Sequence, residues 1–200
     1  MSDLKNTLDM AAQNPAEVRV PPALRTGGII LGGTLLAAVC AHVVLPLYFT
    51  PVPLSLQPLA VLLLGLLLSP RLAGTTMAVY LAEGAMGLPV FAPGAGSLSG
   101  FAHLFGPTGG YLLAYPAAAI LVSFLWRRTG RRLVPALLAA AAGDLLILAC
   151  GALWLAAWTH LTVASALTIA VIPFLPGDAL KVVVAAAMAI RLVRVRRAAF

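Results

Sequence analysis

Residues 26–70 read TGGIILGGTLLAAVCAHVVLPLYFTPVPLSLQPLAVLLLGLLLSP, 45 positions between Arg25 and Arg71 without one charged side chain. A helix crosses roughly 30 Å of hydrocarbon in about 20 residues, so this run is long enough for two spans and a turn. The turn falls at Leu45–Pro53, where Pro46, Pro51 and Pro53 sit within eight residues. Each lacks the amide hydrogen that a continuing helix needs. The reading places one helix near 27–46 and a second near 56–69.

The rest of the chain agrees. Its 200 residues are 62% hydrophobic and only 10% charged, with a mean hydropathy of +1.02. Soluble domains average roughly 45–50% apolar and about 25% charged residues. A water-soluble domain and a disordered chain are both excluded, which leaves an integral membrane protein with one compact domain. Ser69-Pro70-Arg71 opens a third helix, near 72–88, that ends at Gly87-Leu88-Pro89. A Gly/Pro/Ser-rich stretch runs to Gly110, and a fourth helix, near 111–126, is closed by Arg127, Arg128, Arg131 and Arg132. A fifth occupies about 133–157, and Pro176-Gly177-Asp178 opens a sixth that ends in Arg191, Arg194, Arg196 and Arg197. The expected fold is an all-α bundle of six transmembrane helices over 27–197, preceded by a polar tail over 1–26.

Charge placement orients this bundle. Lys5, Arg19, Arg25, Arg71, the four arginines of the 4–5 turn and the four at the C-terminus all fall on one side of an even-numbered topology. Alternate loops on the other side carry no cation. The positive-inside rule then makes the tail, both termini and those turns cytoplasmic, in a multi-pass protein of the cell membrane. The formal charge of +7 therefore orients the chain against lipid and does not signal nucleic-acid binding. Cys40 and Cys150 sit inside apolar runs and read as packing residues.

Four ionisable groups stand at membrane depth: Glu83, Asp144, Asp178 and Lys181. Each costs several kcal/mol in hydrocarbon and must face a partner or a cavity. Asp178 and Lys181 are three positions apart and share a helix face. Asp178 also follows Pro176-Gly177 at a helix N-terminus, where the dipole favours a carboxylate. The pair lies 13 residues before Arg191, so it falls about 20 Å from the cytoplasmic boundary, toward the outer side. It is either the polar floor of an outward recess or a structural bridge. Glu83 and Asp144 both fall near mid-membrane, as packing carboxyls or as a pair. His42, His103 and His160 show no metal-ligand spacing and read as interfacial or loop residues, and Trp154 and Trp158 fit an outer aromatic belt. No metal, cofactor or catalytic group is expected, and no phosphate-binding loop is present. On the first helix Gly33, Ala37 and Ala41 recur every four residues, a stripe suited to close helix approach, within the chain or with a partner.

Four blocks carry a family resemblance: Thr50-Pro51-Val52-Pro53-Leu54-Ser55-Leu56-Gln57, Gly87-Leu88-Pro89-Val90-Phe91-Ala92, Gly106-Pro107-Thr108-Gly109-Gly110-Tyr111-Leu112 and Pro173-Phe174-Leu175-Pro176-Gly177-Asp178-Ala179-Leu180-Lys181. In this order they resemble the BioY family, the biotin-binding S components of energy-coupling-factor (ECF) transporters. The resemblance implies high-affinity capture of biotin from outside by a non-enzymatic subunit. It also implies a transmembrane coupling protein and two cytoplasmic ATPases as partners. Asp178 and Lys181 map onto the family's biotin-binding acid and lysine. The docking stripe for the coupling protein maps onto Ala37 and Ala41, with Gly33 one step before them. Some relatives carry an amide after the second block, where this chain reads Ala92-Pro93-Gly94-Ala95-Gly96-Ser97, so Ser97, Gln57 or a backbone group takes that role. Tyr80, Phe91 and Tyr111 are expected to wall the bicyclic ring. The alternatives are an S component for another vitamin, or a membrane enzyme using Glu83 and Asp144.

Overall fold

A computed structural model describes residues 21–47, 50–93, 100–130 and 132–198. The described residues form eight helices, α1 (Pro22–His42), α2 (Gln57–Leu67), α3 (Pro70–Ala85), α4 (Phe101–Leu104), α5 (Gly109–Arg128), α6 (Leu133–Thr159), α7 (Val163–Ala170) and α8 (Leu175–Ala198). Two short strands, β1 (Val44–Leu45) and β2 (Leu54–Ser55), pair antiparallel, with Val44 opposite Ser55 and Leu45 opposite Leu54. Residues 1–20 of the expected tail lie outside the described residues.

Helix boundaries follow local chemistry. α1 starts at Pro22, ahead of the expected 27, because a proline at the first helical position sacrifices no hydrogen bond. It stops at His42, before 46, because Val43 turns extended and the chain enters β1. This strand pair is absent from an all-helical reading; it ties off the proline-rich loop between α1 and α2. Ser69 caps α3, its hydroxyl accepting the Leu72 amide at 3.4 Å. Thr162 caps α7 in the same way at 3.2 Å. The apolar stretch before Pro176 is itself helical, as α7, and meets α8 at a bend of 57°.

Three helices are long and apolar enough to cross a membrane, α1, α5 and α6, and the bent α7–α8 pair makes a fourth candidate. α3, with 16 residues, and α2, expected near 56–69, are shorter than these. The 11 residues of α2 rise about 16 Å, and eight of them are buried, so it is the central rod of the bundle. It touches α1, α3, α5, α6 and α8. Large aliphatic side chains instead cover the outside of the other helices, including Leu31, Leu35 and Val39 on α1 and Leu138, Leu145 and Leu153 on α6. An exterior this apolar is stable only against lipid.

The core divides into two clusters along the bundle. One gathers Leu62, Leu66, Val122, Trp126, Ala140 and Ala186, from the ends of α2, α5 and α8 nearest their arginines and the start of α6. There the Ser123 hydroxyl donates to the Leu68 carbonyl at 2.7 Å and ties α5 to the turn between α2 and α3. The other cluster gathers Val52, Tyr80, Phe91, Tyr111, Ile147 and Phe174 at the opposite end. Close approach of α5 and α6 rests on glycine: a Cβ at Gly110 would strike Trp154, and one at Gly151 would strike the Tyr111 ring.

Candidate ligand-binding site

α8 begins at Leu175 and carries Asp178 in its first turn. Lys181, one turn on, donates from Nζ to Asp178 Oδ1 at 2.7 Å, with the two side chains only 6% and 3% exposed. Charge at this depth is tolerable because the ammonium, the carboxylate and the helix N-terminus compensate one another. The pair lies on the wall of a cavity at the end of the bundle away from the arginines. Val52, Pro53 and Ser55 cover it from the hairpin side, and Ala92, His103 and Thr108 from the long 3–5 connection.

Of the residues expected at the site, Asp178, Lys181, Gln57 and Tyr111 all line this cavity. The Tyr111 hydroxyl donates to the Ala170 carbonyl at 2.7 Å and so holds the ring edge between α5 and α7. Tyr80 and Phe91 stand behind the wall. The Tyr80 hydroxyl donates to the Val90 carbonyl at 2.6 Å and accepts from Gln57 Nε2 at 2.6 Å. Since the phenol proton is committed to Val90, Gln57 can only offer its amide hydrogens to Tyr80, and this fixes the orientation of the amide. Phe91 packs edge-on against Tyr80 at 5.5 Å and tilted against His103 at 5.1 Å. Ser97 lies outside the described residues.

Further residues line the wall beyond those assigned to the ligand from sequence. His103 is a buried member of α4 and not an interfacial residue. Thr108 presents a hydroxyl with no partner among the described residues. Tyr115 and Phe174 add apolar surface. Asp144, on α6, is 6% exposed, lines the same cavity and lies within electrostatic reach of both Asp178 and Lys181. Its carboxyl had no cation nearby in the sequence; the fold brings α8 to it. Glu83 is not part of this site. It accepts the Thr34 hydroxyl at 3.1 Å, between α3 and α1. The two carboxyls proposed as an enzymatic pair are therefore not gathered around one cavity.

The small-residue stripe of α1 faces inward. Ala37 and Ala41 are fully buried, and a Cβ on Gly33 would approach Thr76 Cγ2 to 2.6 Å. In this chain the stripe brings α1 against α3 and α2.

Together these features define a multi-pass membrane protein with a polar recess inside an apolar bundle. The chain belongs to the BioY family, whose model matches residues 13–198. A probable biotin transporter BioY of Pyrococcus horikoshii is 39% identical over 142 residues, covering 71% of this chain and 81% of that protein. The biotin transporter BioY2 of Lactococcus lactis is 34% identical over 166 residues, covering 83% and 88%. A crystal structure of the S-component for biotin from an ECF-type ABC transporter superposes with a TM-score of 0.78 at 25% identity, covering 86% of this chain and 92% of that one.

Proposed function

We propose that the chain is the biotin-capturing S component of an ECF-type transporter, working in the cell membrane. The observation that carries the reading is the buried Asp178–Lys181 pair on a cavity wall, in a chain of this family. Biotin's ureido ring offers two N–H donors flanking a carbonyl acceptor, and its tail ends in a carboxylate. Asp178 accepts a ureido N–H, and Lys181 donates to the ureido oxygen or to the tail. Such charge-assisted bonds are strongest where water is excluded. Tyr111 and Phe174 supply apolar surface for the thioether side, and Gln57, held by Tyr80, supplies a fixed amide.

The space within the wall is about 50 Å³. At roughly 10–15 Å³ per water this holds only a few solvent molecules. Biotin therefore enters by displacing wall segments, and the hairpin at Val52–Ser55 and the stretch His103–Thr108 are the parts not anchored in long helices.

In this reading the chain passes the membrane six times, with both termini and the arginine-bearing turns cytoplasmic and the recess facing outward. α2 completes its passage with the flanking turns, and α7 with α8 makes one bent passage. A transmembrane coupling protein and two cytoplasmic ATPases supply the energy. The exposed flank of α1, through Leu31, Leu35 and Val39, is the face open to the coupling protein in place of the buried stripe.

The test is equilibrium binding of radiolabelled biotin to the purified chain in detergent, with thiamine, riboflavin and lipoate as competitors. Saturable biotin binding that none of them displaces is expected. Displacement by another vitamin, or no binding at all, would overturn the reading.

A further inference from the structure

The cavity holds two carboxyl groups and one ammonium, and this count has a consequence for ligand recognition. Lys181 is committed at 2.7 Å to Asp178. Asp144 projects from α6 into the same space, 94% removed from solvent, and interacts electrostatically with both groups of the pair. One amine does not satisfy two buried carboxyls, and an acceptor left without donors in such a place is costly. Ile147 and Leu148, next on its own helix, offer no donor, and among the described residues Lys181 is the only lysine or arginine on this wall, beside the neutral hydroxyls of Tyr115 and Thr108 and the Gln57 amide. A guest that brings N–H donors therefore improves the balance around the second carboxyl.

We infer that Asp144 is a second ligand-binding carboxyl, which accepts one ureido N–H of the guest while Asp178 accepts the other and Lys181 donates to the carbonyl between them. The inference rests on the biotin reading and deepens it. A cyclic urea presents donor, acceptor, donor around one edge; the wall offers two carboxyl acceptors and one ammonium donor, from α6 and α8, to meet them. A ring lacking either N–H leaves one carboxyl unpaired, and this makes Asp144 a specificity determinant as well as a contact.

The experiment compares the full-length wild-type chain with Asp144→Asn, which keeps the shape of the side chain, and Asp144→Ala. Three ligands are titrated: biotin, and the two biotins methylated at one or the other ureido nitrogen. Hydrogen bonds to charged groups are worth about 1.5–3 kcal/mol, so both substitutions are expected to weaken biotin by roughly 10- to 150-fold with the protein still folded by thermal melting. The wild type should reject both methylated ligands. In Asp144→Ala the penalty for one of the two should collapse to a few-fold, while the other, read by Asp178, stays. If Asp144→Ala does not fold, the drop in biotin affinity of Asp144→Asn decides the question. Wild-type biotin affinity in Asp144→Asn, or an equal loss for all three ligands in Asp144→Ala, would overturn the inference while leaving the biotin reading in place. A wild-type chain that binds no biotin overturns both.

Discussion

Replacing Lys181 with methionine separates what the buried pair does for the fold from what it does for the ligand. The ammonium is 2.7 Å from Asp178 and both side chains are nearly sealed from solvent. Removing one partner of such a pair leaves a buried charge uncompensated, at a cost of about 3–5 kcal/mol. Removing both partners, in Asp178→Asn/Lys181→Met, takes away both charges of the pair and leaves Asp144 as the one carboxyl on this wall, so it should recover much of that loss. Binding should behave differently. Each single variant loses at least one charge-assisted bond to biotin, roughly 10- to 150-fold in affinity, and the double variant loses both. Thermal melting in detergent and biotin titration on the same four preparations give the two readouts. The expected pattern is a stability that falls in Lys181→Met and returns in the double variant, beside an affinity that falls and does not return. Wild-type stability in Lys181→Met would show that the ammonium compensates no buried charge. Wild-type affinity in the double variant would remove the pair from the site.

Gly151→Ala places a methyl group in the Tyr111 ring and should lower the melting temperature by the equivalent of about 1–3 kcal/mol and weaken biotin binding, whereas Gly27→Ala, with open space around it, should change neither. Tyr80→Phe removes the hydroxyl that joins Gln57 to Val90; a loss of about 1–3 kcal/mol in stability and a several-fold weaker titration with biotin are expected, and an unchanged affinity would free Gln57 of any role. Gly33→Val should destabilise the isolated chain, because its Cβ position already meets Thr76; if melting is unaltered and only assembly with a partner fails, the stripe is a docking face after all. In a background lacking Cys40 and Cys150, single cysteines at Gly130 and at the exposed Leu88 should react with an impermeant thiol reagent from opposite sides of the membrane, and labelling from the same side would refute the six-pass topology.

Much of the site was legible because membrane burial makes charge conspicuous. Asp178 and Lys181 stand out in an apolar chain, and a spacing of three fixes their shared face without tertiary information. The proline-rich break after α1 and the arginine-closed turns were equally plain. Other wall residues were visible without being tied to the pocket. His103, on α4, read as an interfacial or loop residue, Thr108 stood in the third block without a role, and Asp144 stood out as an acid at membrane depth with no neighbour linking it to the Asp178–Lys181 pair. Tyr80 and Phe91 were assigned to the wall, yet they lie one layer behind it, since aromatic identity does not reveal which side of a loop a ring occupies.

Hydropathy and charge segregation alone settled that this chain lives in a membrane as a bundle of helices, because the cost of burying polar backbone and charge in lipid depends only on composition along the chain. Three-dimensional packing decided everything that depends on distance between helices. It made the 11-residue α2 a central rod, turned Gly33, Ala37 and Ala41 inward, gave Glu83 to Thr34 and carried Asp144 to the Asp178–Lys181 pair. Those outcomes rest on which helix faces which, a choice made by side-chain volumes and glycine contacts from segments far apart in sequence.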